Sequence, residues 1–188
     1  MDYKKTNLLI LFLLATFISG CSTLQPAEPV SDQGVDDIAC VGYIQPPPPG
    51  ASEASDQELL SKALGASGEG KLCEGKVFVA NQPITVYRVW NSEKSYTEYG
   101  SWWSFSQPQG PKSKYREDNG ICPSWSTLDR LSSCTIKVGA KFVVGPGQSA
   151  QCQHMIYAKS AVNQVFIPND TRVNQVYVEN CSEGVVWP

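Results

Sequence analysis

The apolar residues of this chain fall into one solid block and then into short, alternating groups. From Leu8 to Phe17 the run is broken only by Thr16. The stretch from Leu8 to Gly20 has 13 residues, well short of the roughly 20 that a membrane-spanning helix needs. Further on, Ser55 with Glu58 three residues later has the form of a capping box. Leu59, Leu60, Ala63 and Leu64 then make an apolar stripe that Gly65 closes, which predicts a helix. Beyond Lys71 the pattern changes to that of strands. Val77–Val79 is one. A second puts Ile84, Val86, Arg88 and Trp90 on one face and Val89 on the other. Trp102, Trp103 and Phe105 lie in a third. Ile136 and Val138 lead through Gly139 to Phe142–Val144; Val165–Ile167 stops at Pro168; Val173 and Val176–Val178 form the last run. Ser113–Asn119 reads as one or two helical turns closed by Gly120, and Gly145-Pro146-Gly147 as a tight turn. One or two short helices among many short strands predict an α+β fold of mostly antiparallel strands.

The first block has a further meaning. Lys4 and Lys5 precede it, and Ile18-Ser19-Gly20-Cys21 follows it. A basic start, an apolar segment and small residues define a cleaved secretory signal. With cysteine in last place, the segment resembles a bacterial lipobox. The resemblance implies a signal peptide over residues 1–20 and lipid on Cys21. Ser22 follows rather than aspartate, so the expected site is the bacterial cell envelope, at the outer membrane. The membrane is then a partner through that lipid. Residues 21–36 are polar and rich in proline, glycine and acids, which suits a tether; residues 37–188 make a single domain. Pro46–Pro49 reads as a stiff polyproline spacer rather than a partner motif.

Charge and cysteine count sharpen this picture. Without Lys4, Lys5 and Asp2, the 15 basic and 18 acidic residues become 13 and 17. An acidic chain without a basic run lacks the face that nucleic acid requires. Seven cysteines are odd in number. Giving Cys21 to lipid leaves Cys40, Cys73, Cys122, Cys134, Cys152 and Cys181, an even set that an exported chain uses for disulfides. Their pairing is open among 15 connectivities, with Cys122–Cys134 the simplest local bridge. No CxxC pair occurs and His154 is the only histidine, so no metal is expected. GxSxG, HExxH and phosphate-loop motifs are absent.

Three segments suggest chemistry. Tyr87-Arg88 puts a guanidinium inside an apolar strand, which suits an anionic ligand; pairing with Glu93 or Glu98 is the plainer reading. Serines alternate with rings over Tyr99-Gly100-Ser101-Trp102-Trp103-Ser104-Phe105-Ser106. Gln164 enters the apolar run Val165–Ile167 before Pro168. In this order the segments resemble the ADP-ribosyltransferase toxin fold of the Arg–Ser–Glu class, over about residues 77–179. The resemblance implies a protein that binds and cleaves NAD as its substrate. Arg88 would hold the pyrophosphate, Ser104 or Ser101 would order the strand beneath nicotinamide, and Tyr99, Trp102 or Trp103 would stack on it. Gln164 would fix the ribose. The family glutamate is here glutamine, which removes a charge-assisted contact worth about 1.5–3 kcal/mol, or roughly tenfold to 150-fold in rate. Some NAD-hydrolysing toxins of the superfamily carry glutamine at this element. The replacement therefore favours NAD glycohydrolysis, or a binding site without turnover, over toxin-like transfer to a protein acceptor. The alternative function is a non-enzymatic envelope lipoprotein that binds a protein or a glycan. An envelope poor in NAD weighs against a resident NAD-consuming enzyme.

Overall fold

The alternation beyond Lys71 is realised as antiparallel sheet. The computed structural model describes residues 34–188, so Cys21 and the signal lie outside the described residues. In chain order the elements are β1 (Ala51–Glu53), α1 (Gln57–Ala63), β2 (Lys76–Ala80), β3 (Ile84–Trp90), β4 (Trp102–Trp103) and α2 (Lys112–Asn119). They continue with β5 (Arg130–Ile136), β6 (Lys141–Gly147), β7 (Ala150–Gln151), β8 (Ile156–Tyr157), β9 (Ser160–Phe166), β10 (Val178–Glu179) and β11 (Val185–Val186). Short 3₁₀ turns cover Ser95–Tyr99 and Thr171–Val173. This is an α+β fold of mostly antiparallel strands with two short helices.

Five strands form one sheet in the order β1-β2-β6-β9-β4. In the second, β5 is central. β3 pairs with its whole length, while β10 and β11 pair with its two ends along the opposite edge. A bridge between Tyr87 and Ser104 links the sheets, and β7 and β8 form a separate hairpin. Alternate side chains explain the core. Phe78, Phe142, Val144, Trp103 and Val165 from the first sheet pack with Ile84, Val86 and Ile136 from the second. Val77, Val143 and Phe166 point the other way and are covered by Leu59 and Ala63 of α1. Because both its faces are covered, β6 is an unbroken apolar run rather than an alternating one.

Several local expectations change. Asp56, not Ser55, caps α1; its Oδ1 accepts the Leu59 N–H at 3.0 Å. Gly65 lies past the helix cap, where a Cβ would collide with the Gly70 carbonyl. Gly145-Pro146-Gly147 is not a turn. It prolongs β6 through a bulge at Pro146/Gly147 and pairs with β9. Glycine is required there because a Cβ on Gly145 would fall inside contact distance of the Glu74 backbone carbonyl. Gly145→Ala is therefore expected to lower stability by about 1–3 kcal/mol, the usual cost of overpacking, as measured by denaturant unfolding. The run near Val173–Val178 shortens to a two-residue strand, since Asn174 adopts a left-handed φ of 55° after the 3₁₀ turn. Ser132 and Ser133 hide the alternation at the start of β5. Ser132 is nonetheless buried and accepts the Trp90 indole N–H at 2.8 Å.

All six cysteines beyond Cys21 are bridged, as Cys40–Cys73, Cys122–Cys152 and Cys134–Cys181. The local Cys122–Cys134 pairing is thus incorrect. Cys134 sits inside β5, opposite Val86, and reaches across to the C-terminal segment. Cys122 follows α2 and faces the hairpin through Cys152. Gly34, within the stretch expected as tether, already makes a folded contact: its N–H donates to the Ile38 carbonyl at 2.8 Å. Among the described residues no helix is long and apolar enough to cross a membrane.

Candidate functional site

β3 carries Arg88 toward the 3₁₀ turn rather than toward an acid. Its Nε donates to the Thr97 carbonyl at 2.7 Å and its Nη1 to the Trp102 carbonyl at 2.6 Å. The guanidinium lies 6.0 Å from the centroid of the Trp103 ring. Neither Glu93 nor Glu98 pairs with it. Burial lowers its pKa to about 10, which leaves it charged at neutral pH. Arg88 thus ties the turn to β4 and lines a hollow of about 420 Å³ with Tyr96, Tyr99, Asn169 and Arg172. Arg172 is itself paired with Asp170 at 2.8 Å.

The loop walling that hollow is fastened from behind. Asp129 accepts from the Ser92 hydroxyl and from the Ser92 N–H, the latter at 2.9 Å. The Ser92 hydroxyl, followed by the Ser92 N–H and the Thr127 hydroxyl, holds the carboxyl down at about 2. A folded pKa below the unfolded value contributes stability that is complete above about pH 4 and lost as pH falls toward 2. Asp129→Asn is expected to lower the melting temperature at pH 6 and to flatten its decline between pH 4 and 2, as followed by thermal unfolding across that range.

The other expected site residues are only partly gathered: Tyr99, Trp102 and Trp103 adjoin Arg88. Ser101 Oγ donates to the Asn169 carbonyl at 3.2 Å and Ser104 Oγ to the Ser106 carbonyl at 2.7 Å. Trp103 is core, its indole N–H spent on the Gly100 carbonyl at 2.7 Å. Trp102 packs on Phe166 with ring centroids 5.0 Å apart. Gln164 is only 5% exposed, and its amide donates to the Asn119 carbonyl at 3.3 Å. A Cβ on Gly147 would come within 3.1 Å of that amide nitrogen. Arg88 and Tyr99 line the smaller hollow, Ser104 lines the larger one, and Gln164 lines neither.

The larger hollow, about 700 Å³, was not foreseen. Pro46–Pro48 form one wall, so the proline run shapes a surface instead of merely spacing the chain. Ser104–Gln109, Tyr115, Asn119 and the β9 residues Ala161–Asn163 line much of the rest. Its one carboxylate, Asp118, is paired with Lys114. Tyr115 is fixed edge-on to Trp187 at 5.0 Å, and burial pushes its phenol up to about 12, so it stays neutral. The lining is therefore uncharged overall, with amides and hydroxyls beside proline and aromatic faces. The two glutamines flanking Pro108 are the available sequence signal. No protein-family model matches the chain, and none of the curated proteins or solved structures matches it either.

Proposed function

We propose that this is the binding domain of an exported, lipid-anchored envelope protein, and that the larger hollow takes a neutral glycan. The observation that carries this reading is the lining itself: amides and hydroxyls at Gln107, Gln109, Asn119, Ser104 and Ser106, beside the flat faces of Pro46–Pro48. Sugar hydroxyls require such neutral hydrogen-bonding partners, and their C–H faces pack on flat apolar surface. The disulfides suit an oxidising compartment, and the even cysteine set leaves Cys21 for lipid. Calorimetry of the purified chain with soluble envelope oligosaccharides tests the reading. Gln107→Ala with Gln109→Ala is expected to weaken binding by about tenfold, since each lost hydrogen bond is worth about 0.5–1.5 kcal/mol. Binding of unstructured peptides instead of sugars would assign the hollow to a protein partner.

A second reading, an ADP-ribosyltransferase-like domain that cleaves NAD, is favoured by one feature: a charged Arg88 with no acid partner, beside Tyr99 on the smaller hollow. It requires Arg88, Ser104 and Gln164 to meet one substrate, and their separate placements weigh against it. Nicotinamide release from NAD that disappears in both Arg88→Ala and Gln164→Ala would establish it over the binding reading.

A further inference from the structure

The stretch from Gly34 to Gln45 lies along β9 as a firmly held arm. Lys159 Nζ donates to the Asp36 carboxylate and to the Ile38 carbonyl, each at 2.9 Å. The Asn163 side chain donates to the Tyr43 carbonyl and accepts the Gln45 N–H, each at 3.0 Å. Cys40–Cys73 ties the arm covalently to the domain. Gly42 packs so closely that a Cβ there would come within 2.8 Å of the Ala161 Cβ. Despite these four attachments, the arm presents apolar side chains outward. Val35, Ile38, Val41 and Tyr43 are 48–69% exposed. Single exposed apolar residues need no explanation, but a group of them on a fixed segment marks a contact surface.

Chain length and charge select the occupant. Gly34 follows Cys21 by only 13 residues. Even fully extended, that many residues reach no more than about 45 Å. A lipid on Cys21 would therefore hold this arm close to the bilayer at high effective concentration. Asp36 is neutralised by Lys159, leaving Asp37 as the arm's exposed carboxylate. Such a surface suits shallow apolar contact with zwitterionic lipid, with Tyr43 at the headgroup level, and not attraction to anionic headgroups. We infer that the apolar side chains of Val35, Ile38, Val41 and Tyr43 rest on the lipid bilayer as a second membrane contact. This rests on the lipid-anchor reading of Cys21.

The test uses the full mature chain on phosphatidylethanolamine-rich vesicles. Intact mass first reports whether Cys21 carries lipid, and hydrogen exchange then follows residues 34–45. The Cys21→Ala chain in buffer is the reference. The expected result is lipid on Cys21 with exchange of that segment slowed several-fold on vesicles. Ile38→Asp with Tyr43→Asp, at exposed positions and checked for an unchanged melting temperature, should abolish the slowing while the chain stays vesicle-bound. Lipid on Cys21 without slowing overturns the surface and leaves the anchor standing. An absence of lipid on Cys21 removes the anchor and this contact with it. Slowing that appears only with added envelope protein, and not on vesicles, assigns the face to a protein and also overturns the inference.

Discussion

Reducing the three disulfides is expected to unfold the domain at ambient temperature. The bridges close separations of 33, 30 and 47 residues. Chain-entropy reasoning gives each about 4 kcal/mol, and removal of a native bridge commonly costs about 2–5 kcal/mol. Total stabilities of domains this size are about 5–15 kcal/mol, so losing all three removes most or all of the margin. The position of each bridge supports this. Cys134–Cys181 fastens the C-terminal segment to the central strand of its sheet, and Cys122–Cys152 fastens the hairpin to the end of α2. Cys40–Cys73 holds the arm. Near-UV circular dichroism with and without reductant checks the expectation; an unchanged spectrum and melting temperature after complete reduction would refute it. The single pair Cys134→Ser with Cys181→Ser should shift the denaturant midpoint by the equivalent of about 4 kcal/mol.

Phe142→Ala is expected to cost about 3–5 kcal/mol, the range for emptying an aromatic site in a packed core. Phe142 has no exposed surface. It packs beside Phe78 with centroids 5.9 Å apart and edge-on to Phe105 at 6.0 Å. It stands between the two sheets, so its loss opens a cavity where both contribute side chains and neither can move alone. Urea unfolding should show a lower midpoint with a similar slope. Val186→Ala, at a position 74% exposed, should change stability by no more than about 0.5 kcal/mol. Equal effects at the two positions would show that the core does not lie between the sheets.

Much of the fold is legible in short-range pattern. The α1 stripe, the α2 turns closed by left-handed Gly120 (φ 57°), and strands β2, β3, β6 and β9 follow from apolar periodicity and punctuation. Where local signals mislead, a distant group has intervened. The glycines and proline of Gly145–Gly147 have turn chemistry, but the Glu74 backbone needs the room that glycine leaves. Ser132 and Ser133 conceal β5, because the hydroxyl that disguises the strand is satisfied by Trp90 from its neighbour. Arg88 stands alone in its strand by sequence, and only the structure places the carbonyls of Thr97 and Trp102 beside it.

The candidate site was less legible than the fold, for the same reason. A reading by order alone aligned Arg88, Ser104 and Gln164, but sequence order does not fix the direction of a side chain. The hollow that carries the proposed function joins Pro46–Pro48, Gln107–Gln109, Asn119 and Asn163, groups separated by tens of residues and each ordinary by itself.

The sequence alone determined the signal-like start with Cys21, the acidic and mostly β character, and an even set of six cysteines for bridging. These are local or compositional properties, set by hydrophobic periodicity, charge and count. Only the tertiary structure decided which cysteines pair, why Gly145 must be glycine, where the hollows lie and which apolar side chains stay outside. Those depend on contacts between distant segments, and their energies exist only once the two sheets have brought the segments together.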